Sequence, residues 1–280
     1  MAIKILTDSA SDISAQEAKE MGIIMLPMRI TFGTEEFYDG VDLSAKKFYE
    51  KLVENKDLPK TAQITPFRFE EAFAEATKNG DEVIAIILSS QLSGTYDAAC
   101  QAAKLFEGKV YVLDTLSATV GERLLCQYAL QLIDRGLTAK AIFEELNKMK
   151  DKLCVMAVLD TLEYLKKGGR ISSVVALLGN MLNLRPIVKA LDGKVKMIGK
   201  TRGKRKGLEF MNNYIGEKWI DFSMPYGVFY TGLDESGAKV YVQDNPTIWQ
   251  DGEKTPVYIM GSTIGTHVGP GAIGVAYFEK

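Results

Sequence analysis

Over the first 150 residues, short runs rich in Ile, Val and Leu alternate with longer amphipathic stretches. The runs Ile3–Thr7, Ile23–Ile30, Glu82–Leu88 and Val110–Leu113 are too continuously apolar to keep a wet face, so they predict strands buried on both sides. Between them, apolar positions recur at helical spacing near Ser14–Met21, Ser44–Asn55, Pro66–Asn79, Tyr96–Phe106, Ala118–Arg135 and Thr138–Met149. Strands and helices in alternation imply a parallel sheet flanked by helices. After a further strand over Lys152–Asp160 the pattern changes. Leu184–Leu191 and Lys194–Lys200 flank Asp192-Gly193, a dipeptide that accepts the left-handed conformations of a two-residue hairpin. Short strands over Pro225–Thr231, Pro256–Gly261 and Gly271–Glu279 follow, with helices near Ile171–Leu182, Lys204–Lys218 and Asp234–Val242. The expected fold is α/β in two domains: residues 1–155 around a parallel sheet, and residues 156–280 as a second α/β domain with a mainly antiparallel sheet.

Several of the predicted strands end in hydroxyls. Ile84–Leu88 runs into Ser89-Ser90-Gln91-Leu92-Ser93-Gly94-Thr95 and then a helix, the junction at which α/β proteins bind ligands. Ser93 or Thr95 could simply cap that helix, but one cap uses one hydroxyl and the segment offers four. In Asp8-Ser9-Ala10-Ser11-Asp12, nested caps account for the residues, with Asp8 or Ser11 opening a helix that Asp12 begins. In Thr61-Ala62-Gln63-Ile64-Thr65-Pro66, Thr65 is placed to cap the next helix and Pro66 to occupy its first position, which leaves Thr61 unexplained. Gly168-Gly169 closes a short helical run from Leu162 and presents Arg170, whose guanidinium fork suits a carboxylate or phosphate but also suits solvent. The single histidine, His267, falls in the glycine-rich stretch 261–271, read as a loop that either approaches a ligand or is merely fastened by the imidazole.

Composition narrows the chemistry. Lys+Arg 34 against Asp+Glu 36 lacks the basic footprint of a nucleic-acid binder. Cys100, Cys126 and Cys154 sit in apolar surroundings without metal-ligand spacing, which fits a reducing compartment. With one histidine, no zinc site is expected, and neither a phosphate-binding Gly-x-x-x-x-Gly-Lys-Ser/Thr motif nor a Gly-x-Ser-x-Gly elbow occurs. The chain enters a strand directly after Met1 and has no apolar stretch of spanning length, so a cytoplasmic location is expected. Lys194–Lys206 gathers seven basic residues in an otherwise neutral chain, either as a solvated face or as a dock for an acidic partner.

Taken in order along the whole chain, Asp8-Ser9-Ala10-Ser11-Asp12, Ser89-Ser90-Gln91-Leu92-Ser93-Gly94-Thr95, Gly168-Gly169-Arg170, Leu184-Arg185-Pro186 and His267-Val268-Gly269-Pro270-Gly271 resemble the DegV family of bacterial fatty-acid-binding proteins. The sequence departs from the family's Thr-Ser-Gln-Pro-Ser/Thr segment at Ala62 and Ile64 and keeps Thr61. The resemblance implies a lipid-binding protein that is not itself an enzyme and uses no metal or other cofactor. A long-chain fatty acid such as palmitate would be buried between the two domains. Its carboxylate would be held at Thr61 and Ser93, with Gly94, Thr95, Arg170 and His267 around it. It further implies service to a separate ATP-binding fatty acid kinase subunit that phosphorylates the carboxylate; local positive charge in a neutral chain then makes Arg202 and Lys204, with Arg170, the docking candidates, and His267 is the one catalytic candidate. Val174–Leu182 is a candidate tunnel wall. The rival readings are an acyl hydrolase using Ser93 with His267, a phosphate-ester enzyme using the hydroxyl loop, and a regulatory module docking through Lys194–Lys206.

Overall fold

Strands β1 (Ile3–Asp8), β2 (Ile24–Leu26), β6 (Glu82–Ile87) and β7 (Val110–Asp114) pair in parallel in the order β2-β1-β6-β7 in the computed structural model, which describes residues 2–55, 57–171, 184–249 and 252–280. The period of two along each strand divides its side chains between two cores. Ile5, Ile84 and Ile86 face helix α5 (Val120–Asp134), whereas Leu6, Val83, Ala85 and Ile87 pack with Phe69 and Phe73 of α3 (Pro66–Thr77) and Ala99 and Ala102 of α4 (Thr95–Ala103). A covered face on each side is what the unbroken apolar runs require.

A second sheet has six strands in the order β10 (Lys194–Arg202), β9 (Leu184–Leu191), β8 (Leu153–Val158), β13 (Ile273–Phe278), β11 (Gly227–Tyr230) and β12 (Val257–Ile259). All its neighbours are antiparallel except β11 and β12. Cys154, Met156, Val158 and Val275 pack against Met211 and Ile215 of α8 (Lys204–Lys218) and Ala238 and Val242 of α9 (Ser236–Gln243). The alternate residues Val155, Ala157, Ala276 and Phe278 join the core that contains α5. Helix α5 is thus shared between the two sheets. The predicted hairpin forms as expected, with Asp192 at φ 52° and Gly193 at φ 75°, the two left-handed residues of a type I′ turn.

Three expectations change. The run Ile23–Ile30 is not one strand: Pro27 lacks an amide donor, and beyond it the chain leaves the parallel sheet as β3 (Arg29–Phe32). This strand pairs antiparallel with β4 (Glu35–Tyr38) and β5 (Lys60–Ala62), giving a third, three-stranded sheet. Helix α1 (Ala15–Met21) opens at Ser14 in a reciprocal cap with Glu17, not at Asp8, Ser11 or Asp12. The stretch 261–271 is not a loop throughout, because Ser262–Val268 forms helix α10. Its Gly265 lets it lie against α2 (Ala45–Glu54), where a β-carbon would stand 2.7 Å from the Tyr49 hydroxyl. The helix expected over Ile171–Leu182 and the tunnel-wall candidate Val174–Leu182 lie outside the described residues beyond Ile171. Among the described residues, no helix is long and apolar enough to cross a membrane.

Candidate ligand site

A cavity of about 270 Å³ opens between the loops at the carboxyl end of the parallel sheet and the α5-facing side of the six-stranded sheet. Leu88 and Leu92 contribute from the loop after β6, Ala157, Val188 and Phe229 from the second sheet, and Met260 and Ile264 from the start of α10. Thr61, Ser93, Gly94, Arg170 and His267 also line it, so five of the six residues singled out for ligand binding meet at one cavity. The sixth, Thr95, is fully buried and does not line it. Its hydroxyl lies 3.0 Å from Ser93 Oγ and accepts a hydrogen bond from the Ile64 amide at 3.4 Å, so it braces Ser93 from behind.

Thr61 sits in β5 and His267 in the last turn of α10, and their Oγ1 and Nε2 atoms lie 3.2 Å apart. Burial pushes the imidazole pKa down to about 4, with the nearby Arg170 charge lowering it further. His267 is therefore neutral at physiological pH, and its Nδ1 is buried with no hydrogen-bond partner among the described residues. That nitrogen lies over Gly168, where a β-carbon would be only 2.2 Å away. Gly94 serves a similar close approach, since the Gln63 amide occupies the space of its missing side chain. Arg170 is exposed and already donates to the carbonyls of Gly168 at 2.6 Å and Leu92 at 3.3 Å, which ties the segment after α7 (Glu163–Lys167) to the serine loop. The hairpin tip does the same from the other side, with Ser89 Oγ donating to the Gly193 carbonyl at 2.7 Å.

The placement of His267 depends on acids that sequence reasoning did not assign to the site. Asp39 is buried, and both its oxygens accept from the first residues of α10: Oδ1 from the Ser262 amide and hydroxyl at 3.1 and 2.6 Å, Oδ2 from the Thr263 amide and hydroxyl at 3.0 and 2.6 Å. A carboxylate there satisfies free amides and complements the helix dipole. Asp12, left-handed at φ 58°, accepts from the Gly261 amide at 2.8 Å and from the Thr119 hydroxyl. Thr119 lines the cavity with φ 55°, a conformation that strains a β-branched residue by roughly 1–3 kcal/mol. Its amide is anchored on the Ala10 carbonyl at 2.6 Å. Burial raises Asp8 and Asp12 to about 7 and Glu122, behind them on α5, well above the carboxylate range. The motif Asp8–Asp12 is thus a buried joint between β1, α5 and α10.

The basic run is only partly free. Lys196 pairs with Asp192 at 2.6 Å and Arg205 with Glu209 at 3.1 Å, and Lys194 lines the cavity. Lys204, half-buried, donates to the Gly271 carbonyl at 2.6 Å, so it also fastens the chain after α10. Arg202 is exposed. Among the described residues Ser93 and His267 share no hydrogen bond, His267 being joined to Thr61 and Ser93 to Thr95. No group of three or more His, Cys, Asp or Glu residues that could hold a metal ion occurs among the described residues.

A family profile described as "Uncharacterised protein, DegV family" matches residues 2–280. A DegV domain-containing protein of Caldanaerobacter subterraneus subsp. tengcongensis is 33% identical over 283 residues, covering 99% of both chains. Another from Deinococcus radiodurans is 33% identical over 279 residues, covering 99% of this chain and 98% of the relative. The fold superposes on a fatty-acid-binding DegV family protein from Thermus thermophilus with TM-score 0.89 at 29% identity, and on DegV, a fatty acid binding protein from Bacillus subtilis, with TM-score 0.85 at 28%, each over 100% of both chains. With its whole length matched in sequence and in fold, the chain belongs to the DegV family.

Proposed function

We propose that this protein binds one long-chain fatty acid, with the tail in the cavity and the carboxylate at Thr61, Ser93 and His267. The observation that carries the reading is an apolar cavity whose polar residues include two hydroxyls and a neutral imidazole. Burying roughly fourteen methylenes at about 0.8 kcal/mol each gives on the order of 11 kcal/mol before the cost of immobilising the chain. A hydroxyl hydrogen bond to the head group adds about 1–3 kcal/mol, so the tail supplies affinity and the hydroxyls orientation. Neutral His267 can donate to a carboxylate without demanding a counter-charge, and Arg170 supplies positive potential nearby. The ligand lies between a domain built on the parallel sheet, whose last strand ends at Asp114, and one built on the six-stranded sheet, whose first strand begins at Leu153, which moves the expected boundary at 155/156 to before β8.

The finer part of the proposal is presentation of the carboxylate to a separate ATP-binding kinase. Thr61, Arg170 and His267 line, besides the cavity, an outer recess of about 530 Å³ with Lys60 and Lys167 on its rim. A head group held at Thr61 and His267 is thus next to the surface, where Lys60 and Arg170 offer positive charge to an incoming phosphoryl group beside Asp57 and the Lys167–Glu163 pair. Arg202 is the exposed docking candidate; Lys204 acts in the fold as well. Mass spectrometry of lipid extracted from the purified protein tests the binding, with a fatty acid expected at about one equivalent. Purified protein that carries no fatty acid and takes none up from solution overturns the reading. Phosphorylation of the bound acid in the presence of a candidate kinase tests presentation. Arg202→Ala is expected to keep the lipid and slow that reaction, and loss of lipid in proportion to the reaction rate refutes docking.

A further inference from the structure

The cavity-facing row of the six-stranded sheet reads Val188, Ala157, Gly274 and Phe229 across β9, β8, β13 and β11, each residue paired in register with the next. Val188, Ala157 and Phe229 line the cavity, and the strand between them has no side chain. The Phe229 ring fills that gap: a β-carbon on Gly274 would stand 2.2 Å from its Cζ and 2.5 Å from its Cε2. The largest side chain of the row therefore lies folded over the smallest residue instead of standing into the cavity, and it is only 1% exposed. A β-carbon there would also stand 2.6 Å from the Met156 carbonyl of the neighbouring strand, so the close approach of the ring and of that backbone together call for glycine.

Phe229 also sits at a defined depth. Tyr230 accepts from the amide of Met260, just before α10, while His267 lies in the last turn of that helix. Five steps of about 1.5 Å from Ser262 to His267 separate the two levels by roughly 8 Å along the helix. The ring thus meets the tail well beyond the carboxylate.

We propose that Phe229, seated on Gly274, is the specificity-determining wall of the cavity, setting the cross-section open to the middle of the acyl chain and so the choice between straight and bent tails. The inference rests on the fatty-acid reading above. A smaller residue at 229 opens room beside the tail, and a β-carbon at 274 drives the ring into the cavity. Each methylene-sized group that finds or loses room changes relative affinity about fourfold.

The test is competition between hexadecanoic acid and cis-9-hexadecenoic acid, equal in length and different in shape, for protein stripped of lipid. Phe229→Leu and Phe229→Met are expected to raise the bound ratio of bent to straight acid by about fourfold or more over the parent. Gly274→Ala is expected to lower it. The Phe229 variants carry the test on their own if Gly274→Ala does not fold, since its β-carbon also meets the Met156 carbonyl at 2.6 Å. A ratio unchanged in the Phe229 variants while the parent holds both acids overturns the wall and leaves the fatty-acid reading standing. A parent that holds neither acid overturns both.

Discussion

Replacing Asp39 by Ala removes the acceptor of four hydrogen bonds at the start of α10 and leaves two amides and two hydroxyls, all on buried residues, without their partner. An unsatisfied buried donor costs about 1–3 kcal/mol, but the four share one acid and the hydroxyls can rotate, so the sum is not additive. A loss of about 3–5 kcal/mol is expected, which for a chain of this size lowers the melting temperature by roughly 6–10 °C. Ser44→Ala is the control, because Ser44 caps α2 at the surface with one bond to the Lys47 amide at 3.3 Å and is worth about 1 kcal/mol or less. The helix is also a lever. Over the roughly 8 Å from Ser262 to His267, a tilt of about 8° at the capped end moves His267 by about 1 Å, enough to break the contact with Thr61. Thermal unfolding and the imidazole nuclear magnetic resonance signals of the single histidine report the two effects on one sample. If Asp39→Ala melts within a degree or two of Ser44→Ala and the imidazole signals do not move, Asp39 does not hold α10 in the way the geometry indicates.

Thr61→Ala with Ser93→Ala is expected to keep the fold and most of the bound lipid while abolishing kinase-dependent phosphorylation, since the tail carries the affinity; the head-group assignment is wrong if phosphorylation persists at the parent rate. Stability against pH follows from the buried groups. Asp8 and Asp12, raised to about 7, hold protons in the native state that the unfolded chain releases near its ordinary carboxylate pKa, so they make stability fall as pH rises from about 4 to 7. His267, lowered to about 4, does the opposite and makes stability rise between about 4 and 6.5. The stability of His267→Gln relative to the parent should therefore be highest near pH 4, decline to pH 6.5 and stay level above, as read by denaturant titration; a difference independent of pH shows that the imidazole is not desolvated. Two glycines should respond to Ala to different degrees. At Gly168 the added carbon meets the packed His267 ring at 2.2 Å and is expected to cost about 1–3 kcal/mol, whereas at Gly94 it meets only the end of a flexible Gln63, costing less than about 1 kcal/mol. Equal losses at the two sites contradict this account of why glycine stands there.

What the sequence disclosed and what it hid divide along the distance between interacting residues. The parallel strands and the hairpin at Asp192-Gly193 were legible because period and turn chemistry act over a few positions, and Thr61, Ser93, Arg170 and His267 because hydroxyls and charge at strand or helix ends stand out from a core pattern. Helix α10 was not legible. Its own sequence, Ser-Thr-Ile-Gly-Thr-His-Val, is a poor helix former with no side-chain cap within reach. The cap is Asp39, more than 220 positions away, and the surface that accepts the helix is α2. Likewise β3, β4 and β5 are each short and mean little until they pair. Asp8–Asp12 shows the limit most clearly. An aspartate that caps the next turn and one that holds a distant helix present the same residue in the same polar segment. Local spacing accounted for Asp8, which does cap the single turn at Ser9–Ser11, but not for Asp12, which bonds Gly261 and Thr119 instead. The residues proposed to hold the ligand stand out by being polar where a strand should end; those that position them do so only through partners the linear chain keeps apart.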